Sequence, residues 1–197
     1  MKKKDKSQHI ILATRNKNKV VEIKKIIGDL VSFATPDRSL QIDIPECGRS
    51  LVENSYAKAI FVYRLHGLPT LADDSGLFVD ALEGEPGIYS ARYGRNDEER
   101  IARLLHNLGD AHDRRAAFRV AFVYCYEYGK YEVFEGECTG EIGHEPKGVS
   151  GFGYDPIFIP RGYKKTFAQL GPATKNRISH RARALRKFRK YLLEVAR

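Results

Sequence analysis

"AAFRVAFVYCYEYGKYEVFEGECTGEI", residues 116–142, decides the fold. Its two runs, 116–127 and 131–142, alternate well enough to be two long antiparallel strands joined at Gly129-Lys130. On either side of this hairpin, strand and helix signals alternate. Residues 9–14 (HIILAT) read as a short buried strand. NKNKVVEIKKII reads as a helix beginning near Asn16, with Val20, Ile23 and Ile27 on one face. Strand candidates follow near 31–34 and 40–44. Ser50 and Glu53 form an S-x-x-E capping box opening a helix that ends near Gly67, with Val52, Tyr56, Ala59, Ile60 and Tyr63 as its buried stripe. Pro69 to Ala72 is the next strand. Asn96 and Glu99 open a further helix carrying Ile101, Leu104, Leu105 and Leu108. GFGYDPIFIP, 151–160, is a glycine turn entering a short strand. The last helix, 175–195, is expected to bury Ile178, Ala182, Leu185, Phe188 or Leu192, and Val195. This order predicts an α/β fold with a mixed sheet in a single domain, 1–197.

The length of 197 residues is enough to bury a substantial core. Three cysteines (Cys47, Cys125, Cys138) without CxxC spacing argue against a disulfide framework or a zinc site, and point to a reducing cytoplasm. The charged start, MKKKDKSQHI, precedes no apolar stretch long enough for a signal peptide or membrane span. The net charge of +9 is unevenly spread: residues 161–197 carry twelve Lys or Arg against the single acid Glu194. The middle of the chain, 9–160, is net acidic. An acidic body with a basic terminal helix favours a local anionic ligand over a broad nucleic-acid surface.

The stretch "LADDSGLFVDALEGEPGIYSARYG", Leu71 to Gly94, holds the chemistry. The strand ending at Ala72 runs into two adjacent aspartates, Asp73 and Asp74. Successive side chains of a strand face opposite ways, so one carboxylate faces any given site while the other supports the turn. Asp74 suits Mg²⁺, which takes hard oxygen ligands from one or two carboxylates plus substrate phosphates, and Glu46 is the natural second carboxylate. No GxxxxGK[ST] is present. Instead strand–TRNKNK–helix, Thr14 to Lys19, offers backbone amides at a helix start beside Lys17 and Lys19. Phe152 suits base stacking, and Asp155, Lys175, His180 and Arg181 suit reading of the base edge. Each has an ordinary alternative: a capped helix start, a tight turn over one packed aromatic, a surface histidine on a basic helix.

Five stretches, ATRNKNKVVEI, LVENSYAKA, LADDSGLFVDALEGEPGIYSARYG, GFGYDPIFIP and ISHRARAL, closely resemble the inosine triphosphate pyrophosphatase family, in the family's order and over nearly the whole chain. The resemblance implies a two-lobed α/β fold with a long mixed central sheet flanked by helices and an active-site cleft between the lobes. It implies hydrolysis of ITP, dITP and XTP to the monophosphate and pyrophosphate, with Mg²⁺, by a homodimer. The cysteines and the charge distribution add the expectation of a cytoplasmic location and no stable nucleic-acid complex. Matched to the family's motifs, Thr14, Arg15, Asn16, Lys17, Asn18 and Lys19 surround the phosphates. Glu46 and Asp74 hold the metal, and Asp74 is the proton acceptor. Ser75, Phe152, Gly153, Tyr154, Asp155, Lys175, His180 and Arg181 bind the nucleotide. Arg15 stands where many relatives carry glycine. Two other readings remain: a Maf-like nucleotide pyrophosphatase of different base specificity, and a nucleic-acid-binding module using the basic C-terminal helix.

Overall fold

A computed structural model of the chain describes residues 8–35 and 48–195. Its elements run β1 (Gln8–Leu12), α1 (Lys17–Ile27), β2 (Val31–Ala34), α2 (Leu51–His66), β3 (Thr70–Val79), β4 (Pro86–Gly87), α3 (Asp97–Leu108), β5 (Arg115–Glu127), β6 (Lys130–Ile142), β7 (Phe158–Pro160), α4 (Phe167–Ile178) and α5 (His180–Val195). The sheet order is β2-β1-β3-β5-β6-β7, with β4 paired to β3. β1 is parallel to β2 and β3, whereas β3–β4 and β6–β7 are antiparallel, so the sheet is mixed as expected. The hairpin that decided the fold is present. Tyr128 and Gly129 connect β5 to β6, and Gly129 takes the φ of 75° that the tight turn needs.

Local signals account for most boundaries. The Asn16 side chain accepts from the amides of Asn18 and Lys19 and starts α1. Ser50 accepts from Glu53 N to start α2, and Gly67 ends it in the left-handed conformation. Asn96 accepts from Glu99 N to start α3. Each such cap contributes about 1 kcal/mol.

Two expectations are corrected. The strand read as ending at Ala72 continues through both aspartates to Val79. Aspartate is disfavoured in strands, but pairing overrides propensity here: Ile11 and Leu12 align with Thr70 and Leu71, and Leu77 and Phe78 align with Gly87 and Pro86. The helix read as 175–195 is two helices. A Thr166/Gln169 capping box starts α4, Gly171 (φ 76°) and Pro172 kink it, and extended Ser179 separates it from α5. The Ser179 hydroxyl accepts from Ala182 N at 3.2 Å, capping the next helix. Ala182, Leu185, Phe188 and Leu192 are buried as expected, but Val195 is 64% exposed. The strand candidate at 40–44 lies outside the described residues.

The chain divides into two compact units, with one boundary between Asp73 and Asp74. The first takes the chain up to Asp73, residues 122–134 and residues from Leu185 onward. Its core gathers Ile11, Ala59, Val62, Ala72, Val123 and Cys125, with the α2 stripe Val52, Tyr56, Ile60 and Tyr63 packed against it. The second comprises 74–121 and 135–184. Its core includes Leu77, Ile101, Leu104, Phe118, Ile142, Tyr154, Phe158 and Phe167. Among the described residues no helix is long and apolar enough to cross a membrane.

Candidate active site

In the first unit, the segment after β1 carries Thr14 to Lys19. Asn16 Oδ1 accepts from Asn18 N at 3.0 Å and from Lys19 N at 3.2 Å, and the Thr14 hydroxyl accepts from Asn16 N at 3.2 Å. These amides are therefore engaged by the segment's own side chains, not left open as the sequence suggested. Arg15, Asn16, Lys17 and Asn18 are exposed at the helix entry. Lys19 turns inward instead, and its Nζ lies 2.8 Å from Asp73 Oδ2. Asp73 is 3% exposed, and a carboxylate so buried requires a cation or donors around it. Lys19 supplies one, so Asp73 braces this segment in mid-strand and supports no turn.

The second unit assembles the rest. Asp74, 6% exposed, follows Asp73 on a continuous strand, so the two carboxylates face opposite ways. Its Oδ1 accepts from Ser75 N at 3.0 Å. The Ser75 hydroxyl accepts from Arg181 Nη1 at 3.1 Å, although 106 residues separate them. Arg181 Nη1 also lies 3.1 Å from His180 Nε2. Arginine can only donate, so in this contact Nε2 is the acceptor. His180 and Arg181, far from lying on a surface, are 1% and 4% exposed.

Packing holds this arrangement. Phe118 stacks on the His180 ring, with centroids 4.8 Å apart and planes 12° from parallel. A Cβ on Gly136 would collide with the His180 carbonyl oxygen, so glycine there lets β6 approach the start of α5. Phe152 has Lys175 Nζ 4.2 Å and the Arg181 guanidinium 5.1 Å from its ring centroid, contacts worth about 0.5–2 kcal/mol each. Lys175 Nζ donates to Asp155 Oδ2 at 2.5 Å, and Phe152 N donates to the same oxygen at 2.9 Å. Burial pushes the Asp155 carboxyl above the usual carboxylate range, while Lys175, the Phe152 amide and Arg181 pull it back. Gly151 packs against this carboxylate where a Cβ would collide.

Ser75, Phe152, Asp155, Lys175, His180 and Arg181, read as one set from sequence, are thus brought together. Tyr154 points into the core, where its hydroxyl donates to the Ser90 carbonyl at 3.0 Å and burial pushes its phenol up. The amide of Gly153 donates to Asp97 Oδ2 at 2.6 Å, a contact the sequence reading missed. The only signal for Asp97 was its place in a helix's first turn, which capping already explained. Glu46, and Cys47 beside it, lie outside the described residues. A separate cavity of about 610 Å³ in the second unit, lined by Asp80, Arg115, Arg119, Glu137 and others, holds none of the expected residues.

The donor chemistry fits a hard cation. Asp74 offers carboxylate oxygens, and among the described residues no group of three or more His, Cys, Asp or Glu forms a closed cage. Carboxylate oxygens are the ligands that a hard cation such as Mg²⁺ takes together with substrate phosphates.

Comparison with known proteins gives a consistent result. The model described as the Ham1 family matches residues 10–191. A dITP/XTP pyrophosphatase of Aquifex aeolicus is 44% identical over 193 residues, covering 91% of this chain and 94% of the relative. One from Porphyromonas gingivalis is 42% identical over 191 residues, covering 94% and 98%. The structure of a HAM1 protein from Coxiella burnetii superposes with a TM-score of 0.88 at 39% identity, covering 95% of this chain and 99% of that one. The Staphylococcus aureus Ham1 protein gives 0.87 at 37% identity, covering 96% and 100%.

Proposed function

The chain belongs to the Ham1 family, and on that premise we propose that it hydrolyses the non-standard purine nucleoside triphosphates ITP, dITP and XTP to the monophosphate and pyrophosphate. The whole chain acts as one pyrophosphatase domain. The observation that carries the reading is the buried assembly around Arg181. The guanidinium bridges Ser75 and His180 and lies beside the Phe152 ring.

Each residue then has a task. Thr14 to Lys19 meet the phosphates, with Arg15 and Lys17 giving exposed positive charge and Lys19 holding its place through Asp73. Asn16 and Asn18 contribute polar groups at the same helix entry. Phe152 stacks on the purine, and Gly153 and Tyr154 shape its loop. Asp155 and Lys175, locked together, hold the Phe152 amide and lie against its ring. Arg181 donates to the 6-keto oxygen shared by hypoxanthine and xanthine. The 6-amino group of adenine would set donor against donor, leaving a buried cation's donors unsatisfied.

Asp74, with Glu46 as second ligand, would hold Mg²⁺. When bound, the ion neutralises phosphate charge and favours the departing pyrophosphate. Asp74 itself orients water and accepts its proton. The water oxygen bonds to the α-phosphorus as the bond to the α,β-bridging oxygen breaks, and pyrophosphate leaves with that electron pair. The resemblance carries two further expectations, a homodimer and a cytoplasmic location, open to light scattering and cell fractionation. The reading is tested by turnover of ITP, dITP, XTP, ATP and GTP with product identification. Pyrophosphate from the first three with little from ATP supports it. Orthophosphate as product, or equal use of ATP, refutes it.

A further inference from the structure

The peptide groups on either side of Phe152 Cα are each held by a different carboxylate. The amide of Phe152 itself donates to Asp155 Oδ2 at 2.9 Å, within the same loop. The next amide, that of Gly153, donates to Asp97 Oδ2 at 2.6 Å, although 56 residues separate the two in sequence. One bond orients the peptide plane before Phe152 and the other the plane after it. Together they fix the direction of its Cα–Cβ bond, and with it the ring beside Lys175 and Arg181.

Asp97 has little else to do. It is the first residue of α3, where an acid is ordinarily explained by the helix dipole. The cap is already made by Asn96, whose side chain accepts from Glu99 N at 2.8 Å. Asp97 reaches out of its helix instead, and it is held for that purpose: Arg100 Nη1 donates to its Oδ1 at 2.7 Å, while Arg100 Nε anchors to the Gly94 carbonyl at 3.1 Å. The Tyr154 hydroxyl on the Ser90 carbonyl, at 3.0 Å, ties the same loop to the same preceding segment. Gly153 sits at φ 62°, a conformation favouring glycine, which turns its amide outward from the loop toward Asp97.

We infer that Asp97 is a positioning residue for substrate binding: through the Gly153 amide it holds Phe152 in the orientation that stacks on the purine. This rests on the assignment of Phe152 to the base. Because stacking reads no base edge, Asp97→Ala should raise KM roughly tenfold for every purine triphosphate alike and leave kcat nearly unchanged. Asp97→Asn keeps an oxygen acceptor at the same reach and should recover most of the loss.

The test is a double-mutant cycle on KM with Asp97→Ala, Phe152→Ala and the pair, each checked for folding by thermal melting. If Asp97 acts through Phe152, the pair binds ITP no worse than Phe152→Ala alone. Additive losses overturn the inference, because a role in helix stability is independent of the ring. A raised KM for Phe152→Ala with an unchanged KM for Asp97→Ala overturns the role of Asp97 and leaves the stacking assignment standing. An unchanged KM for Phe152→Ala removes both. Asp97→Ser, polar enough for a helix start but too short to reach Gly153, serves the same cycle should Asp97→Ala not fold.

Discussion

Arg181 Nη1 donates to His180 Nε2 across 3.1 Å, so two neighbouring, buried side chains hold each other in place. The arginine is held by an acceptor on its own helix and by Ser75 on β3. A donor fixed in this way gains a bond with a 6-keto purine and loses one with a 6-amino purine. Arg181→Ala should lower kcat/KM for ITP by about a hundredfold and for ATP far less, flattening the selectivity. Guanine shares the 6-keto group, so the ITP-to-GTP ratio should not move. Equal losses for ITP and ATP would make Arg181 a general binding residue and shift discrimination to Asp155 or the backbone near Phe152.

The pair of Asp155 and Lys175 predicts a stability cost. Both are buried, and removal of one takes the ion-pair partner from the other. Asp155→Ala should destabilise the protein by about 3–5 kcal/mol in denaturant titration. Lys175→Met, which removes the charge and keeps the volume, should push the Asp155 carboxyl further up and cost less. Equal stability of Asp155→Ala and wild type contradicts the pairing.

The pH dependence follows from the same carboxyl. Its folded-state value is raised by burial, so on acidification it takes up a proton at higher pH than an exposed aspartate. The fold opposes its ionisation, so its contribution to stability is greatest at low pH and declines as pH rises through the folded-state value. Activity runs the other way, because the charged pair holds Phe152 and its loop. The acid limb of kcat/KM for ITP should therefore lie above the ordinary carboxylate range, and Asp155→Asn should remove that limb from a lowered plateau. An acid limb unchanged by the substitution excludes Asp155 as its source.

Lys19 and Asp73 make a parallel case in the first unit. Lys19→Ala leaves Asp73 buried without this cation, and should raise KM for every triphosphate and lower the melting temperature together. A KM change confined to inosine substrates would move Lys19 to base recognition.

How much of this could be read from sequence depended on whether each signal was local. The caps at Asn16, Ser50 and Asn96 were visible because each is made within four residues. So were the long hairpin and the stripe of α2. The continuation of β3 through Asp73 and Asp74 was hidden, because its cause is pairing with β1 and β4, not the residues' own propensity. The break at Ser179 was masked by helix-forming neighbours on both sides. Within the site, the motifs identified Phe152, Asp155, Lys175, His180 and Arg181. The burial of His180 against Phe118, the room left by Gly136 and the reach of Asp97 to Gly153 are long-range contacts that no spacing announces.

Asp74→Asn keeps the shape of the strand and removes the charge to which the proposed function gives the cation and the proton. Turnover should fall at least a thousandfold, on the order of an essential acid–base group, with an unchanged melting temperature. Chelation of Mg²⁺ from the wild-type protein should abolish turnover reversibly. Near-normal turnover of folded Asp74→Asn at saturating Mg²⁺ would take Asp74 out of the chemistry.

Turnover of ITP in ¹⁸O-labelled water, followed by mass spectrometry of both products, tests the central claim most directly. Attack at the α-phosphorus puts the label in the monophosphate and none in the pyrophosphate, and that is the predicted result. Label in the pyrophosphate, or in released orthophosphate, would place the attack at another phosphorus and contradict the account.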